Sequence, residues 1–143
     1  MLISTAYQII ELTFYLGLCP SMRRVPVSAI IYQVKFNHIG IPTAGSFDGE
    51  IPLPHLKMTV SDHQGNPFGI QWQRYWDDAP YPDLVKTVPH VAFEVDDLAA
   101  ALQGQHVIIE PNNPSRGVMV AFIEVSGAPV ELMQIDHGVR PDL

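Results

Sequence analysis

The sequence predicts a single α+β domain assembled from two related β-α-β-β-β modules, the first of them shortened. Three observations carry this expectation. Two segments begin alike, each a strand with a histidine near its start: residues 34–41 with His38, and residues 87–95 with His90. Two later segments, residues 65–72 and 127–134, align without gaps. Thirteen prolines, many beside Gly, Asn or Asp, cut the chain into pieces that suit strands and turns better than long helices.

The 143 residues can bury one proper core but not two ordinary domains. With 47% hydrophobic and 16% charged residues, the composition is that of a folded protein. A net charge of −7, with eight Lys and Arg and no basic run, excludes a phosphate-backbone partner, because that binding needs clustered positive charge. The lone Cys19 cannot form an internal disulfide and no CxxC pair is present, which fits a reducing, cytoplasmic setting.

Taken in order, residues 1–30 are expected to form an N-terminal extension, helical or poorly ordered. Their apolar run, residues 9–18, is interrupted by Glu11 and too short to span a bilayer, and Arg23 and Arg24 follow it instead of preceding it as in a secretory signal. The domain proper is placed at 31–137, with a tail at 138–143. In the first strand Ile39 and Ile41 alternate with Gly40, and in its counterpart Val91, Phe93 and Val95 alternate with Ala92 and Glu94. His38 and His90 therefore fall on the less apolar faces. Residues 42–54 are rich in Pro and Gly and show no helical period, so the first module's helix is expected to be lost or reduced to a loop. His55, Lys57 and Thr59 then alternate with Leu56, Met58 and Val60.

The ungapped match of residues 65–72 to 127–134 pairs Gly69 with Glu131. Period two puts Phe68, Ile70 and Trp72 opposite Gly69, Gln71 and Gln73, and Val130 and Leu132 opposite Glu131 and Met133. In the second module Asp96 and Asp97 cap a short run of helix formers that Gly104 stops. A strand at 106–110, a turn at 111–114 and a strand at 118–125 complete the unit.

The segments FNHIGIP, VPHVAFEVDDLAAAL and GAPVELMQI resemble those of the vicinal oxygen chelate superfamily, which includes glyoxalase I, extradiol dioxygenases and bleomycin resistance proteins. The resemblance covers residues 34–136 and implies paired modules whose strands curl into a cup around a divalent metal, Fe, Mn, Zn or Ni. It gives His38, His90 and Glu131 as ligands; the fourth position, often Glu or Gln, falls on Gly69 and is empty, with Gln71 two residues on as a substitute. Two imidazoles and a carboxylate leave positions open for a small substrate with neighbouring oxygens. The resemblance implies lyase, isomerase or dioxygenase chemistry at such a site; lyase or isomerase chemistry needs a base, for which the face pattern offers Glu131 or Glu94. The face pattern adds Gln71, Gln73, His55, Lys57 and Met133 as substrate contacts, and Arg116 in its loop as an anion contact. His63, His106 and His137 are read as surface, and Trp72 and Trp76 as packing residues. The rival reading is a metal-free small-molecule-binding protein of the bleomycin-resistance type. Self-association as a homodimer is expected too, since a short first module leaves sheet surface for a partner to cover.

Overall fold

The structure, a computed structural model, describes residues 34–143, so the expectation for residues 1–30 lies outside the described residues. Eight strands form one sheet: β1 (Lys35–Pro42), β2 (Ile51–Leu53), β3 (Met58–Val60), β4 (Ile70–Tyr75), β5 (His90–Glu94), β6 (Val107–Ser115), β7 (Val118–Val125) and β8 (Ala128–Ile135). Two short helices, α1 (Asp83–Thr87) and α2 (Leu98–Ala101), accompany them. The sheet curls strongly into a half-barrel, consistent with the expected cup.

The strand order is β2-β3-β4-β1-β5-β8-β7-β6, which reads as one four-strand unit followed by its mirror order. β1 runs parallel to β4, β5 runs parallel to β8, and β1 and β5 meet antiparallel at the seam. The chain thus repeats one module twice. Only the second module keeps its helix between the first and second strands. There the Asp97 carboxylate accepts from the Ala100 amide at 2.9 Å, and α2 buries Leu98 and Ala101 against Val95, Ala121, Ile123 and Leu132 on the convex face. In the first module residues 43–50 form a loop, as its Pro and Gly content predicts.

Two elements were not foreseen: β2, which at three residues is too short to show a period, and α1. One local expectation is corrected. β6 continues through Pro111–Pro114, where a turn was expected; it is the edge strand, where prolines are tolerated, and its register with β7 shifts on either side of Asn112. The two-residue turn between β7 and β8 does obey local chemistry: Ser126 and Gly127 both take positive φ, 51° and 83°, as a tight hairpin requires.

Candidate metal centre

His38 on β1, His90 on β5 and Glu131 on β8 come together on the concave face, and all three are buried. The strand register explains the meeting. Across the seam His38 stands opposite Ala92 and Gly40 opposite His90, while Ala92 is in turn level with Glu131. Inward-facing residues of three adjacent strands are thereby stacked side by side. Gly40 gives His90 its space, since a Cβ there would lie 2.1 Å from His90 Cε1.

The donor atoms of the three residues lie within 4.8 Å of one another. His90 Nε2 is 3.2 Å and His38 Nε2 3.4 Å from the same oxygen, Oε2 of Glu131. Asn37 Oδ1 accepts from His38 Nδ1 at 2.9 Å, which fixes the tautomer and leaves His38 Nε2 bearing a lone pair. That buried nitrogen has no hydrogen-bond partner among the described residues, nor has His90 Nδ1. Glu131 can then receive one hydrogen bond, from His90. A hydrogen bond to a charged group nets about 1.5–3 kcal/mol, whereas burying a carboxylate costs several. Positive charge between the imidazoles and the carboxylate would restore the balance. Burial pushes the Glu131 carboxyl up, but hydrogen bonds and charge from His38 and His90, when they carry protons, outweigh it and hold the group well below the ordinary carboxylate range. A divalent cation supplies the same charge without protons, and two imidazole nitrogens with one carboxylate oxygen suit it.

The structure also places a different residue at the fourth position. Gly40 pairs with Gln71 in the first module as Ala92 pairs with Glu131 in the second, so Gln71, not Gly69, is the counterpart of Glu131. The ungapped alignment slips by two residues because the chain makes a turn before β4 where β8 is entered directly from a hairpin. The Asn66 side chain holds that turn, its Oδ1 accepting from the Phe68 and Ile70 amides at 3.2 and 2.9 Å. Gly69 completes it at φ 64°.

The centre opens into a cavity of about 540 Å³. Gln71, Gln73, His55 and Met133 line it. Lys57 does not: the single 3-10 turn at Pro54–Leu56 breaks the period of two, and Lys57 takes φ 50° and pairs with Asp78 at 2.6 Å. The same break turns Met58 and Val60 into the cavity and Thr59 away from it, where its Oγ1 accepts from Trp76 Nε1 at 3.1 Å. Arg116 is exposed in the β6–β7 turn, outside the cavity. Glu94, at the far end of β5, is outside it as well. Its carboxylate is engaged by Lys35 at 3.2 Å and by His137. Burial raises the Glu94 carboxyl, but hydrogen bonds from His137 and Lys35 carry it below its ordinary value, so it is no base for this site.

Among the lining residues that went unforeseen are His63, Tyr75, Tyr81 and Arg140. His63, expected at the surface, has its ring centroid 4.8 Å from that of His38. Burial and then the neighbouring His38 push its pKa down, against the opposing pull of Asp62 and Glu131. Tyr75 continues the alternation of Gln71 and Gln73, a signal present in the sequence. Tyr81 and Arg140 come from the inter-module loop and the C-terminal segment, where no periodicity marks them. Trp72 lies on the convex face as expected but is 41% exposed and does not pack into the core.

No family model matches the chain, and no curated protein does. Among solved structures, a hypothetical protein from Bacillus halodurans C-125 is similar, with a TM-score of 0.55 at 18% identity over 73% of this chain and 96% of that one. At that identity the likeness concerns the fold. Among the described residues no helix is long and apolar enough to cross a membrane.

Proposed function

We propose that this chain is a divalent-metal-dependent enzyme acting on a substrate with neighbouring oxygen atoms, of the lyase, isomerase or dioxygenase kind found in the vicinal oxygen chelate superfamily. The observation that carries the reading is the convergence of His38 Nε2 and His90 Nε2 on Glu131 Oε2, with the buried His38 nitrogen otherwise unpartnered. The sequence resemblance and the paired-module sheet support it. When bound, the metal supplies Lewis-acid stabilisation of negative charge on a substrate oxygen. His38, His90 and Glu131 would hold it, and Gln71 stands at the remaining register position.

With Glu94 turned away and Glu131 held ionised, His63 is the side chain suited to receive a proton. It borders the cavity, and burial and His38 favour its neutral form.

Metal content tests the reading. Protein purified without chelator or affinity tag is expected to carry near-stoichiometric metal that His90→Ala loses, and the identity of the metal separates iron-based oxygen chemistry from proton transfer. No metal in the wild type, even after each candidate ion is added, would overturn the enzyme and leave a metal-free binding protein using the same cavity.

A further inference from the structure

The two walls of the cavity differ, although the fold makes them equivalents. By register, Gln71, Gln73 and Tyr75 of β4 correspond to Glu131, Met133 and Ile135 of β8, because Tyr75 pairs with Met58 and Gln73 with Val60 as Ile135 pairs with Val118 and Met133 with Val120. Beyond the metal centre, therefore, one wall is polar where its counterpart is apolar.

The polar wall satisfies itself. The Tyr75 hydroxyl donates to Gln73 Oε1 at 2.8 Å, Gln73 Nε2 donates to Gln71 Oε1 at 2.8 Å, and Gln71 Nε2 faces His63 Nδ1 at 3.4 Å. This chain is uncharged and runs toward the centre. It can lose its water without stranding a buried group, while each amide keeps a further proton or lone pair for a ligand. Facing it are Val118, Val120, Phe122, Met133 and Ile135, with no polar side-chain atom except the methionine sulfur.

Cations for an anionic substituent are lacking. Among the described lining residues the one guanidinium, Arg140, donates to both Asp142 carboxylate oxygens, at 2.9 and 2.7 Å, and to Ser115 Oγ at 3.1 Å. His55 is spent on the Pro114 carbonyl at 3.0 Å. The cavity, about 540 Å³, is of the size that encloses a drug-sized ligand, well beyond what a two-oxygen head fills.

We infer that the ligand is an elongated, uncharged and mostly apolar molecule, its body lying on the β7–β8 wall with one hydrogen-bonding edge toward β4, and its oxygen-bearing head at His38, His90 and Glu131. Only the position of the head rests on the metal reading proposed above; the class of the body rests on the walls.

Straight-chain hydroxamic acids from acetyl to octanoyl, and the primary amides of the same lengths, are titrated calorimetrically into the full chain with zinc added. The amides read the walls alone, and the hydroxamates read walls and centre together. Affinity is expected to rise about fourfold per methylene in both series until the cavity is filled. An octanoyl chain ending in carboxylate is expected to bind at least tenfold more weakly than its methyl-ended parent. A flat dependence on chain length in both series, or tighter binding of the carboxylate-ended chain, would overturn the inference. Hydroxamates no tighter than amides of equal length with each candidate ion in place of zinc, the slope being retained, would sink the metal reading and leave this inference standing.

Discussion

Gly40 has no side chain to offer the centre, yet its missing Cβ sets where the His90 ring can sit. An added methyl would meet Cε1, Nε2 and Nδ1 of that imidazole at 2.1, 2.4 and 2.8 Å, distances no real contact tolerates. His90 is 1% exposed, with the Phe122 ring 5.0 Å away edge-on, so the imidazole has nowhere to retreat. Gly40→Ala is therefore expected to cost about 1–3 kcal/mol in urea denaturation and to abolish metal retention, though residue 40 touches no metal itself. The cost should vanish in a His90→Ala background, because the clash has one cause; a double-mutant cycle measures this. An undiminished cost there would place the strain elsewhere. The histidines and Glu131 are legible in the sequence because a strand puts every second residue on one face and the repeat marks both histidines at the same place. His63 is not, because a turn carries no period that tells which way its side chains point.

At the scale of elements, legibility tracks length and regularity. α2 shows its cap and stop, and the alternation along β5 and β8 gives their faces correctly. The turn ahead of β4 and the 3-10 turn ahead of β3 do not show. The 3-10 turn shifts β3 out of the phase that simple alternation assumes, which makes Lys57 a lining residue, whereas the turn ahead of β4 slips the alignment by two, which keeps the face but makes Gln71 a mere substitute. The loop that replaces the first helix is fastened to β4 by chemistry that can be titrated. Arg74 binds both carboxylate oxygens of Glu50, one at 2.9 Å, donates to the Gly45 carbonyl at 3.3 Å, and stacks 5.6 Å over the Phe47 ring. The Arg74 hydrogen bond lowers Glu50 from 4.5 to about 2, against an opposing effect of burial. Since the folded-state pKa is the depressed one, the stabilisation is fully present above about pH 4.5 and is lost as pH falls toward 2. Glu50→Gln should lower the urea midpoint at pH 7, and the gap from wild type should close steadily as pH falls from about 4.5 toward 2. A gap independent of pH would mean the loop is held by packing and not by the ion pair.

At the scale of the whole described chain, the mirror order of the strands makes each position in one module the partner of a position in the other, and the differences between partners report what each face meets. Trp72 and Leu132 are such a pair, since Trp72 is level with Ile41 on β1 and Leu132 with Phe93 on β5. Leu132 is 6% exposed beneath α2, while Trp72 is 41% exposed where the first module has only the loop. The lost helix thus converts a core position into a surface one without changing the sheet. Exchanging the two residues separates burial from strand position. Trp72→Leu is expected to change stability by less than about 1 kcal/mol, as surface substitutions do. Leu132→Trp must force a bicyclic ring between β8 and α2, and should cost about 1–3 kcal/mol or more. Both are read from denaturant midpoints at two protein concentrations. Equal penalties would show that the convex face of the first module is covered in solution as closely as that of the second, and a penalty at Trp72 that grows with protein concentration would identify the cover as another copy of the chain.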